Sequence, residues 1–264
     1  RQLSRLYQAM IRQQSRIKQL LWSRIHPVWP EYEALFSDPF GKTGRTLLQT
    51  APIPADVLAL DSQTLHELVR KASRGQHGSA QVDLIRQAAE CSVGTSRGLT
   101  ATRSGVRALL AQLEALEPIR RQMEVEIETL ADQLPHYLLT LPGASPLAIV
   151  SLFGEIDPIQ AFASPAQLIA FAGLDLVVSK SGQYEAPRRH ISKRGSPYLR
   201  RTLWMMARQA CYKQGDLQEY FLRKSKSLPY LAAVTATAVK LCPIVWRIMT
   251  DRRDYLPQRP SPKP

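Results

Sequence analysis

Between residues 2 and 24 apolar side chains return every seven positions. Leu3, Met10 and Ile17 take one seam position, and Leu6 and Leu20 take a second with Gln13 between them. Polar residues fill most of the remaining places, which predicts an amphipathic helix with a coiled-coil seam. His26-Pro27 and Trp29-Pro30 end it, because the residue before a proline is pushed out of the helical region. From Pro27 to Pro54 the pattern gives way to prolines, glycines and aromatics, which predicts a connecting loop. Helical periodicity resumes at about Asp61 to Ser73 and Ser79 to Cys91, followed by a long run from about Ser96 to Leu134. Its seams hold Val106, Leu113, Ile127 and Leu134 at one position and Leu109, Leu116, Met123 and Leu130 at the other. Arg120 falls on the first seam. Pro118 lies inside the run, where a proline costs about 3 kcal/mol and predicts a kink or a break. Four such heptads fit either a hairpin folding back on the first helix or a coiled coil with a second subunit.

The pattern changes near Pro135. "LPGASPLAIVSLFGEI" (Leu141 to Ile156) is a helix end, a tight turn at Pro142-Gly143 and an apolar helix, the order of a helix-hairpin-helix element. The turn amides around Gly143 could hold a nucleic-acid phosphate there. In "FASPAQLIAFAGL", Ser164 is placed to cap a helix with Pro165 at its first position, and Gly173 to stop it. "LDLVVS" (Leu174 to Ser179) has strand character, "SKSG" supplies turn residues, and "QYEAPRRHIS" returns with Pro187 confining it to an edge. Ser196 is expected to cap the next helix, which carries Leu199, Leu203, Ala207, Ala210 and Cys211 towards a core. A last helix spans about Leu228 to Thr250. The expected fold is therefore mainly α. A helical coiled-coil region over residues 1–134 leads into a compact helical domain over 135–256, with one small β-hairpin. A Pro-rich tail, expected to be disordered, covers 257–264.

Charge sharpens this picture. The 264 residues carry 35 Lys and Arg against 22 Asp and Glu, a formal charge of +13, while 44% are apolar. The apolar share suits a folded protein, and the excess positive charge attracts a polyanion, foremost nucleic acid. Three scattered cysteines and five histidines without HxxxH or HxH spacing predict neither a disulfide framework nor a metal site. The apolar stretch from Leu228 to Cys242 is interrupted by Lys240 and falls short of the roughly 20 residues a bilayer requires, so it reads as a core helix. No signal peptide is evident at the polar start, and the expected location is cytoplasmic. Arg at position 1 points to further sequence upstream. "GKTGRT" (Gly41 to Thr46) lacks the P-loop glycine five residues earlier, where Phe36 stands.

The basic excess concentrates in "SKSGQYEAPRRHISKRGSPYLRR", Ser179 to Arg201. Lys193, Arg194 and the amides near Ser196 converge at a helix N-terminus, where charge and helix dipole both favour phosphate. Lys180, Arg188, Arg189, Arg200 and Arg201 extend that surface. Ser181 has two readings. As a turn residue, Ser-Gly simply suits a hairpin. As a nucleophile, its hydroxyl would attack a DNA phosphodiester with cationic neighbours stabilising the developing charge. His190 is a conceivable base or phosphate contact.

Taken together and in order, "LPGASPLAIVSLFGEI", "FASPAQLIAFAGL", "SKSG" and "ISKRGSPYLRRTLWMMA" resemble the C-terminal transposase domain of the insertion-sequence 110/116/902 family over roughly Leu138 to Leu256. "IRQQSRIKQLL" and "PFGKTGRTLL" look like the same family's coiled-coil linker. The resemblance implies DNA strand exchange by a serine of the Ser-Gly motif, here Ser181, with Ser179 the nearest competitor. It implies DNA as substrate, a structured guide RNA as partner and a homo-oligomer formed through the helices. It also implies a RuvC-like domain with a Mg2+-binding Asp-Glu-Asp-Asp set, expected to precede residue 1. Asp56, Asp61 and Asp83 are not set on strands that could replace it, and no cofactor is expected in this chain. The chain is therefore expected to be a truncated or partial transposase, inactive alone. A non-enzymatic nucleic-acid-binding protein is the alternative, and a coiled-coil remnant without activity the third reading.

Overall fold

The computed structural model describes residues 1–177, 180–181, 184–185 and 190–256, with residues 177, 180, 181, 184 and 185 described as backbone only. The chain divides into two compact units: residues 9–121, and residues 1–8 together with 122–264. These bounds differ from a division at residue 134, because the first eight residues and the end of the long helix group with the C-terminal part.

The unit of residues 9–121 contains most of α1 (Gln2–Ile25), a 3-10 turn at Pro30–Leu35, α2 (Lys42–Thr50), α3 (Pro54–Ala59), α4 (Ser62–Ala72), α5 (Ser79–Glu90) and the first part of α6 (Leu99–Asp132). A single core joins Ile17, Leu21 and Ile25 of α1 to Val106, Leu110 and Leu113 of α6. Here α1 and α6 meet within one chain, as the hairpin alternative predicts.

The segment expected to be a loop, Pro27 to Pro54, is instead part of this core. Trp29, Tyr32, Phe36 and Phe40 are buried in it, with the Trp22 and Phe40 rings 5.1 Å apart. Pro30 and Pro54 do not break structure; each begins a helical turn, where its missing N–H would have no intrahelical partner. "GKTGRT" folds as the start of α2 rather than as a flexible loop. Gly41 occupies its N-cap position, and Gly44 lets the helix approach its neighbours: a Cβ there would lie 2.1 Å from the Pro39 carbonyl oxygen. The Tyr32 hydroxyl donates to that same oxygen at 2.9 Å.

One of the two seams is displaced by a residue in both long helices. On α1 the buried apolar positions are Tyr7, Met10, Ile17, Leu21 and Ile25, with Ser4 and Gln8 also buried, whereas Leu6 is 62% and Leu20 is 41% exposed. On α6, Val106, Leu113 and Ile127 are buried as expected, but they are joined by Leu110 and Ala131, while Leu130 is 40% exposed. Leu109 and Leu116 pack only against the margin of the core. Met123 is buried as expected, and the half-buried Glu117 and Glu124 lie beside this seam. Arg45 donates to Glu117 at 2.8 Å and the Tyr7 hydroxyl to Glu124 at 2.7 Å, so each carboxylate is satisfied where it sits. The assigned helix runs through Pro118 without a break. Pro118 and Glu114 are both exposed, so the Glu114 carbonyl that loses its donor can turn to water.

In the other unit, α6 ends and a 3-10 turn (His136–Thr140) leads through Gly143 to α7 (Pro146–Ile156). The first arm of the expected helix-hairpin-helix is thus a single 3-10 turn. A short 3-10 turn (Ile159–Ala161), α8 (Pro165–Ala172), α9 (Pro197–Ala210), α10 (Asp216–Ser225) and α11 (Tyr230–Asp251) complete the helices. Here α9 packs on α7 and α11, and α11 also on α8 and α10. By length and composition α11 could cross a membrane, the one such helix among the described residues. It buries a stripe from Ala233 and Val234 through Leu241 and Val245 to Met249, the pattern of a helix set against a core. Gly173 stops α8 with φ +64°, as expected. Ser164 stands at its N-cap without a side-chain bond; Gln167 Oε1 accepts from the Ala163 amide instead, at 2.8 Å.

The fold is mainly α. Its described strands are β1 (Leu176–Val177) paired antiparallel with β4 (His190–Ile191), and β2 (Lys180–Ser181) paired antiparallel with β3 (Tyr184–Glu185). The expected tail, residues 257–264, and Pro187 lie outside the described residues.

The displaced seam makes a direct prediction. Leu21→Ala should destabilise the protein by about 2–5 kcal/mol in urea unfolding, as for a fully buried leucine. Leu20→Ala should stay within about 1 kcal/mol. Equal losses would return the seam to Leu20.

Candidate functional site

Glu155 is the only charged residue of α7, and its side chain is 1% exposed. An ionised carboxylate so deeply buried has to be paired. Arg5 supplies two bonds, from Nε to Oε1 at 2.5 Å and from Nη2 to Oε2 at 2.8 Å. The Arg1 Nε lies 3.7 Å from Oε1, and the Arg5 guanidinium stacks over the Tyr198 ring at 4.7 Å. Burial alone would push the Glu155 carboxyl up. Hydrogen bonds from Arg5 and Ser196, with the charges of Arg5 and Arg1, outweigh it and hold the group below the usual carboxylate range.

Ser196 links this carboxylate to α9. Its hydroxyl donates to Glu155 Oε2 at 2.9 Å and accepts from the Leu199 amide at 3.1 Å, capping the helix as the sequence predicts. The Ser196 amide donates to the Phe171 carbonyl at 2.8 Å, and Pro197 has no N–H. Of the amides at this helix start, those of Ser196 and Leu199 are thus bonded within the protein, and the Ser196 side chain is committed to Glu155.

The strand ribbon is clamped between the end of α8 and this start of α9. The Lys193 amide donates to the Gly173 carbonyl at 3.0 Å, and the Ser192 amide to the Asp175 carbonyl at 2.8 Å. Ser192 Oγ donates to Asp175 Oδ1 at 2.5 Å and accepts from the Arg194 amide at 3.2 Å. Arg200 Nη1 donates to the Ala172 carbonyl at 3.1 Å. Beyond the clamp, Leu176 pairs with Ile191 and Val177 with His190, then Lys180 with Glu185 and Ser181 with Tyr184. Ser181 is thus the last paired position before the hairpin reverses.

The sequence-predicted residues divide into three groups. Lys193, Arg194 and Arg201 are exposed around the foot of the ribbon, and Lys193 holds the left-handed φ of +55°. Arg200 and Ser196 are half-buried and bonded within the protein, and Gly143 is buried against α9, where a Cβ would lie 2.0 Å from the Met206 carbonyl oxygen. Packing accounts for that glycine. Lys180 and Ser181 are placed by backbone pairing, whereas Arg188, Arg189 and Ser179 lie outside the described residues. Arg5 and Glu155 were not anticipated, although a lone acid in "PLAIVSLFGEI" was the available signal. Among the described residues no three His, Cys, Asp or Glu side chains come together to hold a metal ion. Asp56 pairs with Arg103 at 2.7 Å, and Asp61 caps α4.

Residues 135–222 match the family described as Transposase IS116/IS110/IS902. That third of the chain contains α7, α8, the described strands, α9 and the start of α10, and it is similar to this transposase family. No curated protein matches the chain significantly.

Because folding lowers the Glu155 pKa, its stabilisation is present above its ordinary value of 4.5 and is lost as pH falls through the folded value. Thermal midpoints measured from pH 6 down to pH 3 should drop more steeply in the wild type than in Glu155→Gln. Arg5→Met leaves the carboxylate unpaired and should cost about 3 kcal/mol, the low end for a buried pair because Arg5 is itself 34% exposed. Parallel pH profiles for wild type and Glu155→Gln would show that the carboxylate contributes no such linkage.

Proposed function

We propose that this chain is the serine-bearing part of a DNA transposase, and that Ser181 is its nucleophile. The observation that carries the reading is the match of residues 135–222 to the transposase family, within which the Ser-Gly motif falls at Ser181. The strand pairing supports it: Ser181 stands opposite Tyr184 in the antiparallel β2–β3 pair, and the neighbouring residues Gly173, Asp175, Ser192 and Lys193 are bonded to one another between α8 and α9.

In the proposed step Ser181 Oγ loses its proton and attacks the phosphorus of a DNA phosphodiester. A serine–phosphate ester forms as the bond from phosphorus to one deoxyribose oxygen breaks, and that oxygen leaves as a hydroxyl after taking up a proton. Attack by another strand's hydroxyl then transfers the phosphate to that strand and regenerates Ser181. Lys193, Arg194 and Arg201, together with Arg188 and Arg189 of the same segment, would balance the phosphate charge. The resemblance further suggests a RuvC-like partner domain that supplies Mg2+, a structured RNA and assembly of several copies; no step here is routed through the metal.

The test joins a RuvC-like domain of the family ahead of residue 1 and supplies labelled duplex DNA. A protein–DNA adduct stable to denaturation is expected, lost in Ser181→Ala with DNA binding retained. An adduct that survives Ser181→Ala but disappears in Ser179→Ala would move the nucleophile. Loss of DNA binding in Ser181→Ala would make the residue a structural turn serine.

A further inference from the structure

The unit of residues 9–121 lies wholly outside the matched transposase domain, yet one of its surfaces gathers cations from three separate elements. Lys42 and Arg45 of α2, Arg74 after α4 and Arg121 of α6 line a concavity of about 480 Å3. Two carboxylates, Glu114 and Glu117, share it. Glu117 is already engaged: Arg45 donates to it at 2.8 Å, and Arg121 lies 3.8 Å away. The charges of Arg45, Arg121 and Arg120 help hold its carboxyl below the usual range. Glu114 accepts a hydrogen bond from Gln49. Lys42 and Arg74 are exposed, neither has a carboxylate partner among the described residues, and Arg121 is 71% exposed. The cleft therefore keeps a positive excess that the protein itself does not neutralise.

Arg74 adds a second observation. Its φ is +55°, in the left-handed region, directly after the Ser73 C-cap of α4 and before Gly75. Such a position favours glycine or asparagine, because a larger side chain brings its Cβ against the backbone. Nothing lies within 4 Å of a Cβ built at the neighbouring Gly75, so the turn is not short of room. An arginine held here against its backbone preference places a long cation at the rim of the cleft.

We infer that this cleft is a second DNA-backbone surface, in which Lys42, Arg74 and Arg121 contact phosphates without reading bases. The inference shares DNA as partner with the transposase reading but rests on a different unit and on different residues. Three ammonium or guanidinium groups on one concave face suit the spaced charges of a duplex backbone: Lys42 and Arg74 have no carboxylate partner among the described residues, and Arg121, which shares Glu117 with Arg45, is still 71% exposed.

The test measures binding of the full chain to a duplex DNA of unrelated sequence over a salt series, for wild type and for Lys42→Ala/Arg74→Gly/Arg121→Ala. Each phosphate contact contributes about 0.9 to the slope of log K against log salt, so the triple variant should lose about 2–3 from it. DNA binding with an unchanged slope would overturn the second surface while leaving the transposase reading intact. Absence of any DNA binding by the wild type would sink both. Arg74→Gly and Arg74→Asn separate a ligand-directed arginine from a structural one. If Arg74 serves DNA, both should weaken binding, and the glycine should raise the thermal midpoint by roughly 1–3 °C as backbone strain is relieved. If both variants lower the midpoint and leave binding unchanged, the arginine is there to stabilise the end of α4, and the inference fails.

Discussion

A carboxylate that is 1% exposed has to be neutralised by its surroundings, and the architecture around the candidate serine follows from how that is done. Glu155, at the last turn of α7, takes two bonds from Arg5 and one from Ser196. Ser196 in turn caps α9, and its amide is bonded to Phe171 at the end of α8. One buried charge therefore orients three helices and the first residues of α1. The foot of the ribbon, from Asp175 and from Ser192 to Arg194, is attached at the same junction. Without the carboxylate the cap would still form, but nothing would relate the start of α9 to α7 by a charged contact.

The parts of the fold that were legible in the sequence are those set by local rules. Ser196 and Gly173 act where capping and left-handed conformation require them. The pairing of Leu176–Val177 with His190–Ile191 follows from the strand character read there, whereas Lys180 and Ser181 of "SKSG", expected as turn residues, are paired in β2. The seams were legible only by half. Counting apolar residues favours Leu109, Leu116, Met123 and Leu130 over the line through Leu110, Glu117, Glu124 and Ala131; the count holds at Met123 and misleads at the other three. Glu117 and Glu124 can sit near the seam because Arg45 and Tyr7 reach them from 72 and 117 residues away in sequence. No periodicity contains that information.

Residues 27–54 failed for a related reason. Prolines and glycines usually mark irregular chain, and there the composition was correct about local conformation but not about burial. Pro30 and Pro54 begin helical turns, Gly44 admits the Pro39 carbonyl, and the aromatic residues between them fill a core whose other members come from α1 and α6. A proline-rich segment with Trp29, Tyr32, Phe36 and Phe40 is too apolar to be left in water, since burying one such ring contributes about 1.5–3 kcal/mol. Aromatic content was the better guide than proline content.

The candidate site shows the same division between local and distant causes. Lys193, Arg194 and Arg201 could be found because a basic run is visible in one dimension. Glu155 could not be assigned its role, because its partners lie 150 residues before and 41 residues after it. Its presence changes how the basic run is understood. A helix N-terminus beside free arginines looks like a phosphate site, but one that already holds a carboxylate is a joint. The cations left available for DNA are then those whose side chains have no internal task. Among the described residues, non-glycine left-handed conformations occur at Arg74, Lys193 and Arg252, all of them cationic. Helix ends account in part for Arg74 and Arg252, where positive charge opposes the carbonyl dipoles. Lys193 follows a strand, not a helix, so that explanation does not reach it. At Lys193 the left-handed turn lets the chain bond Gly173 through its amide while the side chain stays exposed beside the ribbon. Backbone strain at that position is balanced by anchoring the foot of the strands, and the charge it displays stays exposed, as do those of Arg194 and Arg201.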